Sequence, residues 1–138
     1  MFVVMVVVGV CFNPMNILAY RFNDLYLSQT LVYGGILMAS NMIWAHELVH
    51  LIVMKHCNYT VMGIGVILSL CVSVFLLRAQ WMIDDTQWLR RMISHHSTAL
   101  TTSHNIYNQT KDPKVKQLAK EIIDTQEREI SQMKEMIQ

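Results

Sequence analysis

Charge is divided very unevenly along this 138-residue chain, and that division limits its fold more than any other feature. Residues 1–83 carry five charged side chains, whereas residues 84–138 carry sixteen, eight of each sign. We therefore predict a membrane-anchoring region over 1–83, followed by a water-facing domain over 84–138. Because the charges of the second region cancel, it has no basic surface for nucleic acid, and we expect no nucleic-acid partner.

Two segments of the first region predict membrane-spanning helices, because a span needs about 20 mostly apolar residues. They cover about residues 26–45 and 61–77. Small residues recur in them at every fourth position, which lets helices approach closely and predicts a tight transmembrane hairpin. These small residues are Gly35, Ala39, Gly65, Ser69 and Ser73.

The N-terminal apolar segment, within residues 1–20, is harder to interpret. Its continuous apolar run ends before Asn13, which is too short to cross a bilayer of about 30 Å. We predict that it is buried or lies against the membrane, with a third span as the alternative.

The orientation of the anchor follows from a few basic residues. The loop between the spans holds Lys55, whereas Arg78, Arg90 and Arg91 follow the second span. The positive-inside rule then predicts an integral-membrane protein with a cytoplasmic C-terminal domain.

The second region has the signals of a helical hairpin. Asp84 is a predicted N-cap, and the helix that follows fades near Asn108. Asp112-Pro113 is a second helix start, with Asp as the cap and Pro in the first turn. A hairpin of about 55 residues buries little core. We therefore predict an all-α fold whose second part is half of a four-helix bundle, completed by a homo-oligomer.

The two predicted helices carry metal-capable residues on their inward faces. The motif is Met92-Ile93-Ser94-His95-His96, followed thirty residues later by Gln126-x-x-Glu129-Ile130-x-x-Met133. Methionine with histidine three and four residues on gathers thioether and imidazole groups on one face, and Cu(I) accepts both. The predicted ligands are Met92, His95, His96 and Met133, with Glu129 and Gln126 in support.

The same residues also have a structural interpretation. Buried histidine and glutamine side chains need hydrogen-bond partners, and pairing across a seam fixes its register. On this interpretation the chain is a structural or assembly protein of a membrane, whose polar seam specifies oligomerisation.

Together with the Asp112-Pro113 start, this motif resembles the domain of unknown function 305 family over roughly residues 88–138. The resemblance implies a ferritin-like helical domain that binds copper or silver in some bacterial members. Short versions behind a membrane hairpin occur among giant-virus proteins, which implies a viral protein in a virion or host membrane.

Three positions depart from the pattern of that family. Ser94 stands where the family usually has Pro, Ser97 where it has Gln, and Thr102 where it has Met. The last departure removes one soft donor, for which His104 is a candidate replacement.

The first span carries a second candidate metal site. Four donors recur at every fourth position and lie on one slowly drifting face. They are Met42, His46, His50 and Met54. The alternative is a packing stripe with two interfacial histidines.

Within that stripe, His46-Glu47-Leu48-Val49-His50 fits the H-E-x-x-H pattern of zinc proteases. A third zinc ligand in a matching context is missing. Zinc is therefore the alternative metal, and a zinc protease is only the third-ranked function. We expect that the protein is not an enzyme. The leading prediction is a small integral-membrane protein that binds a soft metal, copper, through a Met/His site.

Overall fold

The computed structural model describes residues 1–137, and within them every regular element is helical. The all-α prediction is therefore confirmed. A 3-10 turn covers Phe22–Asp24, and a π-helical segment, Val72–Arg78, continues the fourth α-helix. The α-helices are α1 (Phe2–Cys11), α2 (Pro14–Ile17), α3 (Gln29–Met54), α4 (Tyr59–Cys71), α5 (Asp85–Gln109) and α6 (Pro113–Ile137).

These elements form two compact units whose sequences interleave. The first unit contains residues 1–13 and 29–83, and the second joins residues 14–28 to the helices that follow Asp84. Residues 14–28 precede the first long apolar helix in sequence, yet they pack with α5 and α6. We call this segment, residues 14–28, the strap.

The first unit contains the predicted apolar hairpin. α3 packs against α4 at Gly65, where a Cβ atom would lie 2.8 Å from the backbone nitrogen of Trp44. The short helix α1 packs against α3 at Gly35 in the same way, since a Cβ there would lie 2.8 Å from the carbonyl oxygen of Val6. The predicted small residues therefore mark true close approaches of the backbones.

Both arms of the hairpin are long and apolar enough to cross a membrane. They are Gln29–Met54, with a mean hydropathy of 1.4, and Tyr59–Arg78, with 2.5. The first arm continues nine residues past the predicted end at residue 45, so His46, His50 and Met54 belong to the same helix.

The second unit is built on the hairpin of α5 and α6. Both predicted caps are confirmed: Asp84 Oδ1 accepts from the Gln87 N–H at 2.7 Å, and Asp112 Oδ1 accepts from the Lys114 N–H at 2.8 Å. The two helices meet in an apolar core, and burying each of its side chains stabilises the unit by about 1.5–3 kcal/mol. Its buried members are Leu89, Ile93, Leu100, Ile123, Ile130 and Met133.

Candidate metal centre

A cavity of about 360 Å³ lies between α5 and α6 and gathers most of the predicted donors. From α5 it takes Met92 and His96, which lie one turn apart. From α6 it takes Glu129 and Met133, again one turn apart. The full lining is Trp88, Leu89, Met92, His96, Glu129, Gln132, Met133 and Met136. Four of the six residues predicted for the main site therefore share one cavity.

His96 and Glu129 form the polar centre of this cavity. Nδ1 of His96 lies 3.1 Å from Oε2 of Glu129, and the His96 side chain is only 14% exposed. The approach falls outside hydrogen-bond geometry, so the buried Nδ1 atom makes no hydrogen bond. A carboxylate beside an imidazole is the arrangement that orients metal-binding histidines.

His95 and Gln126 are placed differently from the other predicted ligands. His95 is exposed and does not line the cavity, although its ring centroid lies 6.0 Å from that of His96. Gln126 is half-buried in the seam between the helices and also lies outside the cavity lining. The structure thus separates the two adjacent histidines into one cavity residue and one surface residue.

Although His95 is exposed, the partial loss of water around its ring lowers its pKa below the ordinary value of 6.5, and the electrostatic effects of Arg91 and His96 lower the pKa further. In metal-free protein we expect the His95 NMR titration to have its midpoint below 6.5. Because the unfolded chain binds this proton more readily, the contribution of His95 to stability is lost as the pH falls through 6.5. Arg91→Gln should raise the midpoint in part. A midpoint at or above 6.5 would contradict the assignment.

The donor set of the cavity suits a soft ion. It contains the thioethers of Met92, Met133 and Met136, with one imidazole and one carboxylate. Over residues 1–137 there is no group of three or more His, Cys, Asp or Glu side chains placed to hold a metal. Thioether and imidazole are ligands that suit Cu(I).

The strap contributes a buried polar network that sequence patterns did not indicate. Asp24 is fully buried. Its Oδ2 accepts from the Ser97 hydroxyl at 2.7 Å, and its Oδ1 pairs with the Lys134 ammonium. The Ser94 hydroxyl donates to the Asp24 carbonyl oxygen at 2.9 Å. The only sequence signal for this network was the presence of serine at two motif positions that depart from the resembled family.

His104 also belongs to the strap contacts and does not line the cavity. Its ring stacks on Tyr20 with centroids 4.7 Å apart and planes 10° from parallel. Thr102 is exposed, and its hydroxyl donates to the Ala99 carbonyl oxygen at 3.0 Å. His104 therefore does not bring a donor to the cavity in place of the methionine that Thr102 lacks.

The second candidate site, in α3, is only partly assembled. The ring centroids of His46 and His50 lie 4.4 Å apart. The methionines one turn before and after them, Met42 and Met54, are exposed. Glu47 Oε2 accepts from the Asn58 N–H at 2.9 Å, so the carboxylate of the H-E-x-x-H pattern ties the turn between α3 and α4. This contact gives Glu47 a structural role in the hairpin.

Comparisons with known proteins give a family and a viral relative for this chain. The family model for the domain of unknown function DUF305 matches residues 76–137. The chain is also similar to "Uncharacterized protein L153" of Acanthamoeba polyphaga mimivirus, with 34% identity over 126 residues, 91% of this chain and 81% of the relative. No solved structure matches the chain.

Proposed function

This chain belongs to the DUF305 family, and from that premise we propose that it is a small integral-membrane protein that binds a soft metal ion, Cu(I), between α5 and α6. The observation that carries the proposal is the shared cavity of Met92, His96, Glu129 and Met133. Met92, His96 and Met133 would hold the ion, and Glu129 would orient the His96 ring. The site serves binding, and no reaction is assigned to it.

The charge and chemistry of the cavity support a monovalent ion. Thioethers are neutral and polarisable, so they bind soft ions in preference to hard ones. Glu129 contributes a single negative charge beside the mostly buried His96, which balances one positive charge. His95 lies outside the cavity although it neighbours His96 in sequence, and Gln126 supports the seam between the two helices.

Membrane insertion is supported by the surface of the first unit. Within their most apolar windows, only 11% of the residues of Gln29–Met54 and 17% of those of Tyr59–Arg78 are buried inside the protein. The core helix of a soluble protein would be mostly buried. Side chains this apolar and this exposed are stable in lipid, because water penalises their surface. With this anchor, the excess of basic residues after the second span favours a cytoplasmic position for α5 and α6.

A second candidate function, membrane assembly, is favoured by the uncovered apolar side chains of the second unit. Trp88 and Met136 are 51% and 61% exposed beside the cavity, and Leu118 is 56% exposed on α6. A second copy would cover such side chains and complete a four-helix bundle. In this alternative the polar seam specifies the pairing and no metal binds.

Metal loading of the full chain tests the proposal. Purified in detergent and supplied with Cu(I) under anaerobic conditions, the wild-type protein should retain about one ion per chain in native mass spectrometry, consistent with one bundle site. Zinc supplied in parallel should be retained less. A stable oligomer that holds no metal would favour the assembly function and would contradict the metal proposal.

A further inference from the structure

Met136 lines the cavity but does not belong to the sequence motif that ends at Met133. It lies three residues beyond Met133 on α6, so both side chains reach the same cavity. Met133 is 8% exposed, whereas Met136 is 61% exposed. The cavity therefore has one thioether buried in the core and one at its opening to solvent.

We propose that Met136 is a third thioether donor of this site, placed at its opening, and that it makes the site selective for soft monovalent ions. The inference rests on the proposed function of the cavity and adds a residue to it. Met136 adds a third thioether side chain to a cavity that Met92, Met133 and His96 also line. Of the thiolate, imidazole and carboxylate ligands that hold zinc, the cavity lining offers one imidazole and one carboxylate.

The second residue at the opening, Trp88, favours a cation there. Trp88 lines the same cavity as Met136, and the two residues are 51% and 61% exposed. The face of an indole ring attracts positive charge, most strongly where water is partly excluded. An ion that enters would therefore meet a thioether and an aromatic ring before it reaches the buried His96 and Met133.

The simpler role for Met136 is an apolar cover, and leucine separates the two roles. Met136→Leu keeps an apolar side chain of similar volume but removes the sulfur atom. Met82→Leu is the matched control, since Met82 is similarly exposed, at 65%, and lies outside the cavity. Both variants are made in the full chain and purified in detergent.

Affinity for Cu(I) is measured by competition with a chromogenic Cu(I) chelator, and zinc is titrated in parallel. Met136→Leu should weaken Cu(I) binding at least roughly tenfold, the lower end of what the loss of an outer partner of a metal ligand costs. The zinc affinity of Met136→Leu should equal that of the wild type, and Met82→Leu should bind both ions as the wild type does. In wild-type protein with ¹³C-labelled methionine methyl groups, Ag(I), a redox-inert probe of the same charge, should shift the Met136 signal.

The outcomes separate this inference from the function on which it rests. Tight Cu(I) binding that is equal in wild type and Met136→Leu, with an unmoved Met136 methyl signal, overturns the role of Met136 and leaves the cavity site standing. An equal loss of Cu(I) and zinc in Met136→Leu overturns the claim of selectivity. Wild-type protein that binds no soft ion contradicts the proposed function itself.

Discussion

Replacing His96 by alanine should strongly weaken soft-metal binding in this chain. Among residues 1–137, His96 is the only histidine in the lining of the cavity, and its ring lies beside Glu129. Without the imidazole, the remaining donors are weak neutral thioethers and one partly exposed carboxylate. We expect Cu(I) affinity to fall at least roughly 100-fold, the upper end of the cost of losing an outer partner of a ligand. Competition with a chromogenic chelator measures the change.

His95→Ala tests whether the adjacent histidine also binds the metal. The sequence predicts equal roles for the two histidines, whereas the structure places only His96 in the cavity. His95→Ala should therefore weaken binding much less than His96→Ala, and the exposed His56→Ala should have no effect. If His95→Ala caused the greater loss, the orientation of α5 around the site would be wrong. If the metal were instead lost only with His46→Ala, the binding site would lie in α3.

Replacing Asp24 by alanine should destabilise the second unit by about 3 kcal/mol, because removing one partner of a buried ion pair leaves the other uncompensated. Asp24 is fully buried between the Ser97 hydroxyl and the Lys134 ammonium. Lys134 keeps 27% of its side chain exposed and will regain some water, which places the effect at the lower end of the range for buried pairs. Hydrogen–deuterium exchange of the backbone amides of α6, followed by mass spectrometry, measures the loss.

Arg21→Ala is the matched control, since Arg21 lies in the same strap and pairs with Glu127 at 2.8 Å. The side chains of Arg21 and Glu127 are both exposed, so this ion pair should contribute less than about 1 kcal/mol to the free energy of unfolding. Asp24→Asn/Lys134→Met removes both charges, and it should recover part of the stability lost in Asp24→Ala. Equal exchange rates in Asp24→Ala and Arg21→Ala would show that the buried carboxylate does not hold the strap.

The helical architecture was predictable because its signals are local. The N-caps at Asp84 and Asp112 act within three residues of their own position, and the small residues of the apolar hairpin act at a fixed helical spacing. The predicted cavity donors on α6, Glu129 and Met133, share a face because they are four residues apart. Local rules of this kind require no knowledge of the rest of the chain.

The strap could not be predicted in this way. Asp24 reaches Ser97 and Lys134 across 73 and 110 residues of sequence. A single acidic residue in an apolar N-terminal region has no periodicity, and its natural interpretation is a solvated loop charge. Its burial depends on two serines and one lysine that meet only after α5 and α6 have paired.

The sequence by itself determined that this is an all-α protein. It also determined that an apolar helical hairpin is followed by a second helical hairpin that carries the motif, because hydropathy, caps and spacing act over short distances. Only the tertiary structure decided which donors meet. Successive residues on a helix point about 100° apart, so His95 and His96 cannot both face the same neighbour. Packing of Ile93 and Leu100 into the core sets the rotation of α5, and that rotation turns His96 towards Glu129 and leaves His95 exposed.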